Sequence, residues 1–191
     1  MNDAQKKILL KTAYDTVTAV INGKRPPVPK CEDPQLNANC GCFVTLKTHE
    51  RLRGCIGQFT SNIPLIELVV EMATASAVSD SRFFSNPITP AQLNDLDVEI
   101  SVLSPLKKTN DPLSLRLGVD GIYIKKGYAS GCFLPQVATE TGWTKEEFLG
   151  NCCSHKAGLS PDAWKDKKTE VYLFSAEVFG ASFRDIKNNE E

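Results

Sequence analysis

Short strand-like segments that follow one another across tight turns set the strongest limit on how this chain folds. Residues 41–48 alternate between apolar and polar side chains, and residues 52–59 resume as a second strand after a short turn. Residues 121–126 and 130–134 repeat the arrangement around Gly127. Strands joined so closely pair antiparallel, because a parallel pair needs a crossover of roughly a dozen residues or more. The sequence therefore predicts two β-hairpins.

The other segments follow the spacing of helices or of single strands. Helices are predicted over 3–22, 63–79, 135–141 and 144–157, and further strands over 96–103 and 168–179. Hairpins interspersed with helices indicate an α+β fold with a mainly antiparallel β-sheet flanked by helices. At 191 residues the chain suits a single domain over 1–191. We expect the charged residues 184–191 to form a frayed tail.

Charge and cysteine content exclude several classes of function. Lys plus Arg total 22 and Asp plus Glu total 23, so no basic excess is present to hold nucleic acid or an anionic membrane. The first residues lack the apolar core of a signal peptide, and no apolar run has the roughly 20 residues of a membrane span. Seven cysteines are an odd number for a disulfide framework. Reduced thiols in the cytoplasm are the simpler expectation.

The most distinctive motif is LRGCIG at 52–57, which combines a guanidinium, a thiol and two glycines. Strand alternation predicts that Arg53 and Cys55 share a face, where the cation would stabilise a thiolate. Gly54 and Gly57 would let a ligand or loop approach the backbone. The alternative is that Cys55 is a small buried residue and the glycines allow tight packing.

Asp80 and Arg82, in DSRF after the second helix, are a second candidate pair. In a functional role they would place an acid and a guanidinium at the edge of a cleft. The alternative is a structural role, in which they form an ion pair at the end of a helix. Glu99 lies on the polar side of the strand over 96–103, where it would be a general base or merely solvated.

Two cysteine groups suggest other chemistry. Cys152 and His155 share a helix face and would make a nucleophile and its base, but no third orienting group is identifiable, and helix packing is the favoured explanation of the vicinal cysteines. Cys31, Cys40 and Cys42 lack the two-residue spacing of a zinc knuckle. No metal site and no cofactor are predicted.

Taken in order along the chain, the motifs resemble the AMMECR family. The similar segments are GCFVTLK at 41–47, RLRGCIGQF at 51–59, DSRF at 80–83, DVEISVL at 97–103, DGIYIKKG at 120–127, CFLPQVA at 132–138 and HKAGLSPDAW at 155–164. The resemblance covers nearly the whole chain. It implies a larger α/β subdomain and a smaller one, with a cleft near the LRGCIG strand. Phe84 and the 152–153 cysteine pair look local to this sequence and are given no functional weight.

The resemblance supplies no established reaction. Related genes in many prokaryotes lie beside genes for a Memo-type protein and a radical S-adenosylmethionine protein, which suggests a shared modification pathway. Two hypotheses follow, an enzyme or enzyme subunit acting on a small molecule or protein, and a non-enzymatic module that binds those partners. Carried over by motif, the candidate site has three catalytic and four substrate-binding residues: Cys55, Arg53 and Asp80 in the first group, and Gly54, Gly57, Arg82 and Lys156 in the second.

Overall fold

The structure is a computed structural model that describes residues 1–188, and these residues divide into two compact units. The first unit holds residues 1–103 and 177–188, and the second holds Ser104–Ala176. Each unit is an antiparallel sheet with helices packed against it. The α+β class and the mainly antiparallel pairing predicted from the sequence are therefore confirmed.

The first unit pairs two long helices with the sheet formed by the first hairpin. Its elements are α1 (Asp3–Ile21), β1 (Cys42–Thr48), β2 (Arg51–Gln58), α2 (Leu65–Val78), β3 (Leu96–Leu103), the end of β7 (Glu170–Ser182) and α5 (Phe183–Asn188). The strand order is β2-β1-β3, followed by β7. An Asn2–Gln5 capping box begins α1, which satisfies amides that have no partner inside the helix.

Alternation along the strands determines which side chains form the core of the first unit. Val44 and Leu46 of β1 and Val98 and Ile100 of β3 are buried with the apolar sides of α1 and α2. The turn between β1 and β2 uses His49 and Glu50 at positive φ, 49° and 63°. Mirror-image turns of this kind match the right-handed twist of paired strands.

A β-bulge interrupts the pairing of β1 with β2 at Arg53. Leu46 pairs with Gly54 and Lys47 pairs with Leu52, so Arg53 has no opposite residue. A bulge re-aims the side chain that it carries and breaks the strict alternation of faces. The prediction that Arg53 and Cys55 share a face assumed regular alternation, which the strand does not have at this point.

The second unit is built around the second hairpin. Its elements are β4 (Lys107–Thr109), β5 (Asp120–Lys126), β6 (Ala129–Phe133), α3 (Pro135–Thr141), α4 (Lys145–Asn151) and the first part of β7. β7 pairs with both β4 and β5, and β5 pairs with β6. The core of the unit packs Ile122, Ile124 and Phe133 against Phe148 and Leu149 of α4.

Three segments differ from their predicted form. The helix predicted over 144–157 changes at residue 152 into a π-helical turn, Cys152–Lys156. The strand β4 was not predicted, because three residues are too few to show a period. Of the predicted tail 184–191, residues up to Asn188 belong to α5, with Phe183 and Ile186 buried, and residues 189–191 lie outside the described residues. Within residues 1–188, no helix combines the length and apolarity needed to cross a membrane.

Candidate functional site

Asp80 is the centre of the hydrogen-bond network beside the LRGCIG strand. It follows α2 directly and is only 5% exposed. Its Oδ2 accepts the backbone N–H of Cys55 at 2.9 Å, and Arg82 donates from Nε to Oδ1 at 2.9 Å and from Nη2 to Oδ2 at 2.6 Å. The carboxylate therefore ties the outer edge of β2 to the end of α2.

This network fixes the charge state of its members. The hydrogen bonds from Arg82, with the amide of Cys55 adding to them, hold the pKa of Asp80 far below its ordinary value. The same pairing raises the pKa of Arg82. Nη2 of Arg82 also donates to the carbonyl oxygen of Cys55 at 3.1 Å. Asp80 is thus ionised at neutral pH with its acceptor positions occupied, which suits positioning better than proton transfer.

Ser76 of α2 inserts its hydroxyl into the pairing of β1 and β2. The backbone N–H of Ile56 donates to Ser76 Oγ at 2.9 Å, and Ser76 Oγ donates to the carbonyl oxygen of Val44 at 2.7 Å. Val44 and Ile56 are paired residues of the two strands. The hydroxyl therefore bridges the ladder from the helix side.

Protein atoms occupy the space that the two glycines of the motif leave open. A β-carbon built on Gly54 would lie 1.9 Å from the carbonyl oxygen of Ser76, and one on Gly57 would lie 2.2 Å from the ring of Phe43. Distances this short exclude any side chain. Both glycines thus have a packing explanation, the alternative to ligand approach that the sequence left open.

A cavity of about 130 Å³ lies beside the network. Its walls come from β2, from the end of α2 and from the segment after it: Arg53, Ser76, Ala77, Val78, Asp80, Phe83, Phe84, Pro87 and Ile88. All of these residues belong to the first unit. The LRGCIG strand and the DSRF segment, far apart in the sequence, therefore meet at one cavity.

Arg53 is buried in the wall of this cavity without a matching anion. Arg53 is only 8% exposed. Its Nη2 donates to the carbonyl oxygens of Asn86 at 3.3 Å and Pro87 at 3.4 Å. Its Nε is buried with no hydrogen-bond partner, and within residues 1–188 Arg53 forms no ion pair. A guanidinium carries five N–H donors, so much of its capacity is unused.

The thiol of Cys55 lies against β1 and is half-buried. Thr45 Oγ1 donates to Cys55 Sγ at 3.2 Å, and the two residues are paired across β1 and β2. On the other side of β1, Thr45 pairs with Glu99, whose carboxylate accepts from Lys47 at 3.3 Å. Glu99 is therefore ion-paired, which matches the solvated-face alternative more closely than that of a poised base.

Lys156 belongs to the second unit. It ends the π-helical turn, and its Nζ lies 5.7 Å from the centre of the Phe133 ring. In the same unit, burial raises the pKa of Cys132 to about 11 and raises that of Cys152 further, as expected for packed thiols. Among the described residues no group of three or more metal-binding side chains comes together.

Sequence reasoning missed Ser76 and Phe84. Ser76 sits in a helix of mainly apolar residues, where a lone serine gives no signal of a bridging role. Phe84 was assigned no function, yet it lines the cavity while remaining 63% exposed. The sequence gives no signal for Phe84, because it directly follows another phenylalanine and a single exposed apolar residue is ordinary on a protein surface.

Fold and site together define an α+β protein with an arginine-lined cavity beside an edge strand. Residues 10–179 match the AMMECR1 family, so the chain belongs to that family, as its motifs predicted. It is similar to a protein of Thermococcus kodakarensis, with 40% identity over 190 residues that cover 94% of this chain and 91% of the relative. A Methanothermobacter thermautotrophicus protein is 47% identical over 145 residues, covering 73% and 74%.

A solved structure supports the same assignment. The crystal structure of an uncharacterized protein from Pyrococcus horikoshii matches with a TM-score of 0.83 at 39% identity, covering 94% of this chain and 93% of that one. The likeness extends over both units, because so little of either chain lies outside the match. Membership in the family establishes the fold but not a reaction, which has to be inferred from the site.

Proposed function

We propose that this protein binds the anionic group of a substrate or partner through Arg53, in the cavity beside the LRGCIG strand. The observation that carries the proposal is the buried guanidinium, which has a cavity in front of it and no carboxylate partner within residues 1–188. An arginine side chain does not lose its proton in a protein. It therefore cannot relieve its burial by becoming neutral, as a lysine or a carboxylate can.

The charge balance of the cavity supports an anionic ligand. Asp80 also lines the cavity, but Arg82 pairs with it and cancels its charge. Arg53 then leaves an excess of one positive charge on a residue that is itself only 8% exposed. A buried charge without a partner costs several kcal/mol, and a bound anion would offset that cost.

Asp80 and Arg82 have a positioning role in this proposal. Together they hold the backbone of Cys55 and the turn that carries Phe83 and Phe84. Gly54 and Gly57 serve by admitting Ser76 and Phe43 rather than by touching the ligand. Lys156, which was also assigned to substrate binding, belongs to the second unit and remains a separate prediction.

Within this role the protein acts as an enzyme or enzyme subunit of a modification pathway, with Cys55 as the candidate nucleophile. Its thiol is reachable in part and takes a hydrogen bond from Thr45. Reduced thiols at all seven cysteines fit a cytoplasmic location. The rate of iodoacetamide alkylation at Cys55 tests the nucleophile. If Cys55 reacts no faster near neutral pH in the folded protein than in the unfolded protein, it is not a nucleophile.

The second candidate function is a non-enzymatic module that binds a Memo-type or a radical S-adenosylmethionine protein. It is favoured by the backbone of Cys55, whose N–H donates to Asp80 and whose carbonyl accepts from Arg82. These two hydrogen bonds give the strand around Cys55 a structural role. On this view Cys55→Ser keeps partner binding. Loss of a measurable turnover in a stably folded Cys55→Ser protein would contradict it.

The anion site is tested by titrating the protein with propionate and following the Nε–H resonance of Arg53 by NMR. Propionamide has nearly the same shape without the charge and serves as the ligand control. We expect a saturable shift with propionate and none with propionamide. Arg53→Gln is expected to remove binding, whereas Arg25→Gln, which removes the same charge at an exposed position, is expected to preserve it.

Equal binding of propionate to the Arg53→Gln and Arg25→Gln proteins would overturn the proposal, as would no binding to the native protein. Arg53→Lys covers the case in which Arg53→Gln does not fold. It keeps the charge and loses the planar fork of donors, so binding is expected to weaken without being abolished.

A further inference from the structure

The size of the Arg53 cavity limits how much of a ligand it can enclose. Sites that enclose a whole small molecule usually have about 300 to 1,000 Å³, whereas this cavity has about 130 Å³. That volume takes a charged end group with one or two carbons beside it. The rest of any ligand that reaches Arg53 must lie outside, on the surface around the mouth.

The mouth of the cavity is apolar on two sides. Phe84 and Val78 both line the cavity, yet they are 63% and 49% exposed. Large apolar side chains that bridge a cavity and the solvent offer a contact surface next to the buried charge. The structure gives a reason for their placement, because the Asp80–Arg82 pair holds the turn that follows α2.

The charge inside the cavity selects the kind of anion. A single guanidinium matches one negative charge, and its planar fork fits the two oxygens of a carboxylate. A phosphate would bring close to two negative charges at neutral pH, whereas the cavity offers only the one net positive charge of Arg53, because Arg82 already pairs with Asp80. Arg53 thus favours a carboxylate over a phosphate.

We infer that the ligand is a monocarboxylate with an apolar tail, whose carboxylate reaches Arg53 and whose tail lies across Val78 and Phe84. This inference rests on the proposed anion site and adds the chemical class of the ligand. The carboxylate has two possible sources, a free aliphatic acid and the C-terminus of a polypeptide that ends in an apolar residue. Both present one negative charge followed by apolar atoms.

The experiment compares hexanoate with propionate on the native protein and on Phe84→Ser. Three further methylene groups that contact the mouth are expected to tighten binding about tenfold, since partial burial of each yields less than the full 0.8 kcal/mol. Phe84→Ser is expected to remove that gain, so that the ratio of the hexanoate affinity to the propionate affinity falls toward one. Tyr128→Ser, at an exposed aromatic residue of the second unit, is the matched control and is expected to change neither affinity.

Equal affinities for propionate and hexanoate would overturn this inference while leaving the anion site intact. The same holds if Phe84→Ser does not reduce the gain in affinity of hexanoate over propionate. A hexapeptide ending in leucine, as the free acid and as the C-terminal amide, then identifies the source. Tight binding of the acid form alone assigns the site to a polypeptide C-terminus. If neither peptide binds although hexanoate does, the site is assigned to a free aliphatic acid.

Discussion

Gly54 of β2 meets the main chain of Ser76 so closely that a β-carbon on the glycine would lie 1.9 Å from the serine carbonyl oxygen. The helix α2 thus rests directly on the backbone of the LRGCIG strand. In the same contact, the hydroxyl of Ser76 bridges the amide of Ile56 and the carbonyl of Val44. The packing of α2 against the LRGCIG strand therefore depends on this contact.

Replacing Gly54 with alanine is expected to lower the free energy of unfolding by about 3 kcal/mol, because backbone atoms must move to admit the methyl group. Urea denaturation measures the loss. Gly127→Ala is the comparison, since nothing lies within 4 Å of its β-carbon position and its φ is +61°. It is expected to cost only about 1 kcal/mol of left-handed strain. Similar losses for the two variants would contradict the close contact.

Ser76→Ala is expected to destabilise the protein by about 2 kcal/mol, because it leaves a partly buried amide and a buried carbonyl without their shared partner. Hydrogen exchange at the amide of Ile56 should speed up in the variant. Ser154→Ala is a suitable control, since that hydroxyl bonds only to helix carbonyls of its own segment. Unchanged exchange at Ile56 would show that the bridge is not a restraint.

Asp80→Asn is expected to reduce both the stability and its dependence on acid. The pKa of Asp80 is depressed in the folded protein, so its contribution is present above the unfolded pKa, about 3.9. It is lost as the pH falls below that value toward the folded pKa. The native protein should therefore lose more free energy of unfolding than Asp80→Asn does as the pH is lowered through this window.

Asp120→Asn is the matched control for that experiment. Asp120 is also buried and is also held at a depressed pKa by an arginine, Arg116, but it lies in the second unit. The Asp120→Asn variant should also lose some of the acid dependence of stability, in the same direction, without altering propionate binding at Arg53. A loss of propionate binding in Asp80→Asn alone would support the positioning role of Asp80.

Thr45→Val is expected to slow alkylation of Cys55 by about fivefold, the equivalent of one hydrogen bond of about 1 kcal/mol. The hydroxyl donates a hydrogen bond to the sulfur at 3.2 Å, and valine cannot replace that donor. Mass spectrometry of the Cys55 peptide after brief iodoacetamide treatment measures the rate. Cys132, whose pKa burial raises to about 11, should stay unreactive in both proteins. An equal or faster rate at Cys55 would contradict the prediction.

Local rules predicted most of the fold. The alternation of Val98, Ile100 and their polar neighbours identified β3, and the Thr144–Glu147 capping box marked the start of α4. These signals are local, because a period or a cap is complete within a few residues. The prediction that LRGCIG and DSRF belong to one site came from the family resemblance, and the structure brings Arg53 and Asp80 to one cavity.

The remaining features depend on pairing between distant residues. The bulge at Arg53 arises from the register of β2 against β1, which no local pattern in β2 displays. The role of Ser76 depends on which strand edge α2 meets. The engagement of Asp80 by the amide of Cys55 joins residues 25 positions apart. Each of these is decided by tertiary packing, which overrides local preference.

The bridge made by Ser76 has a consequence for how this part of the protein opens. A helix that supplies a hydroxyl to the ladder of two strands cannot detach without breaking their pairing, and the strands cannot part without releasing the helix. Fluctuations of α2 and of the first hairpin should therefore occur as one cooperative opening, with a single free energy for their slowest amides. The Arg53 cavity has walls from both α2 and the first hairpin, so it would open and close together with them.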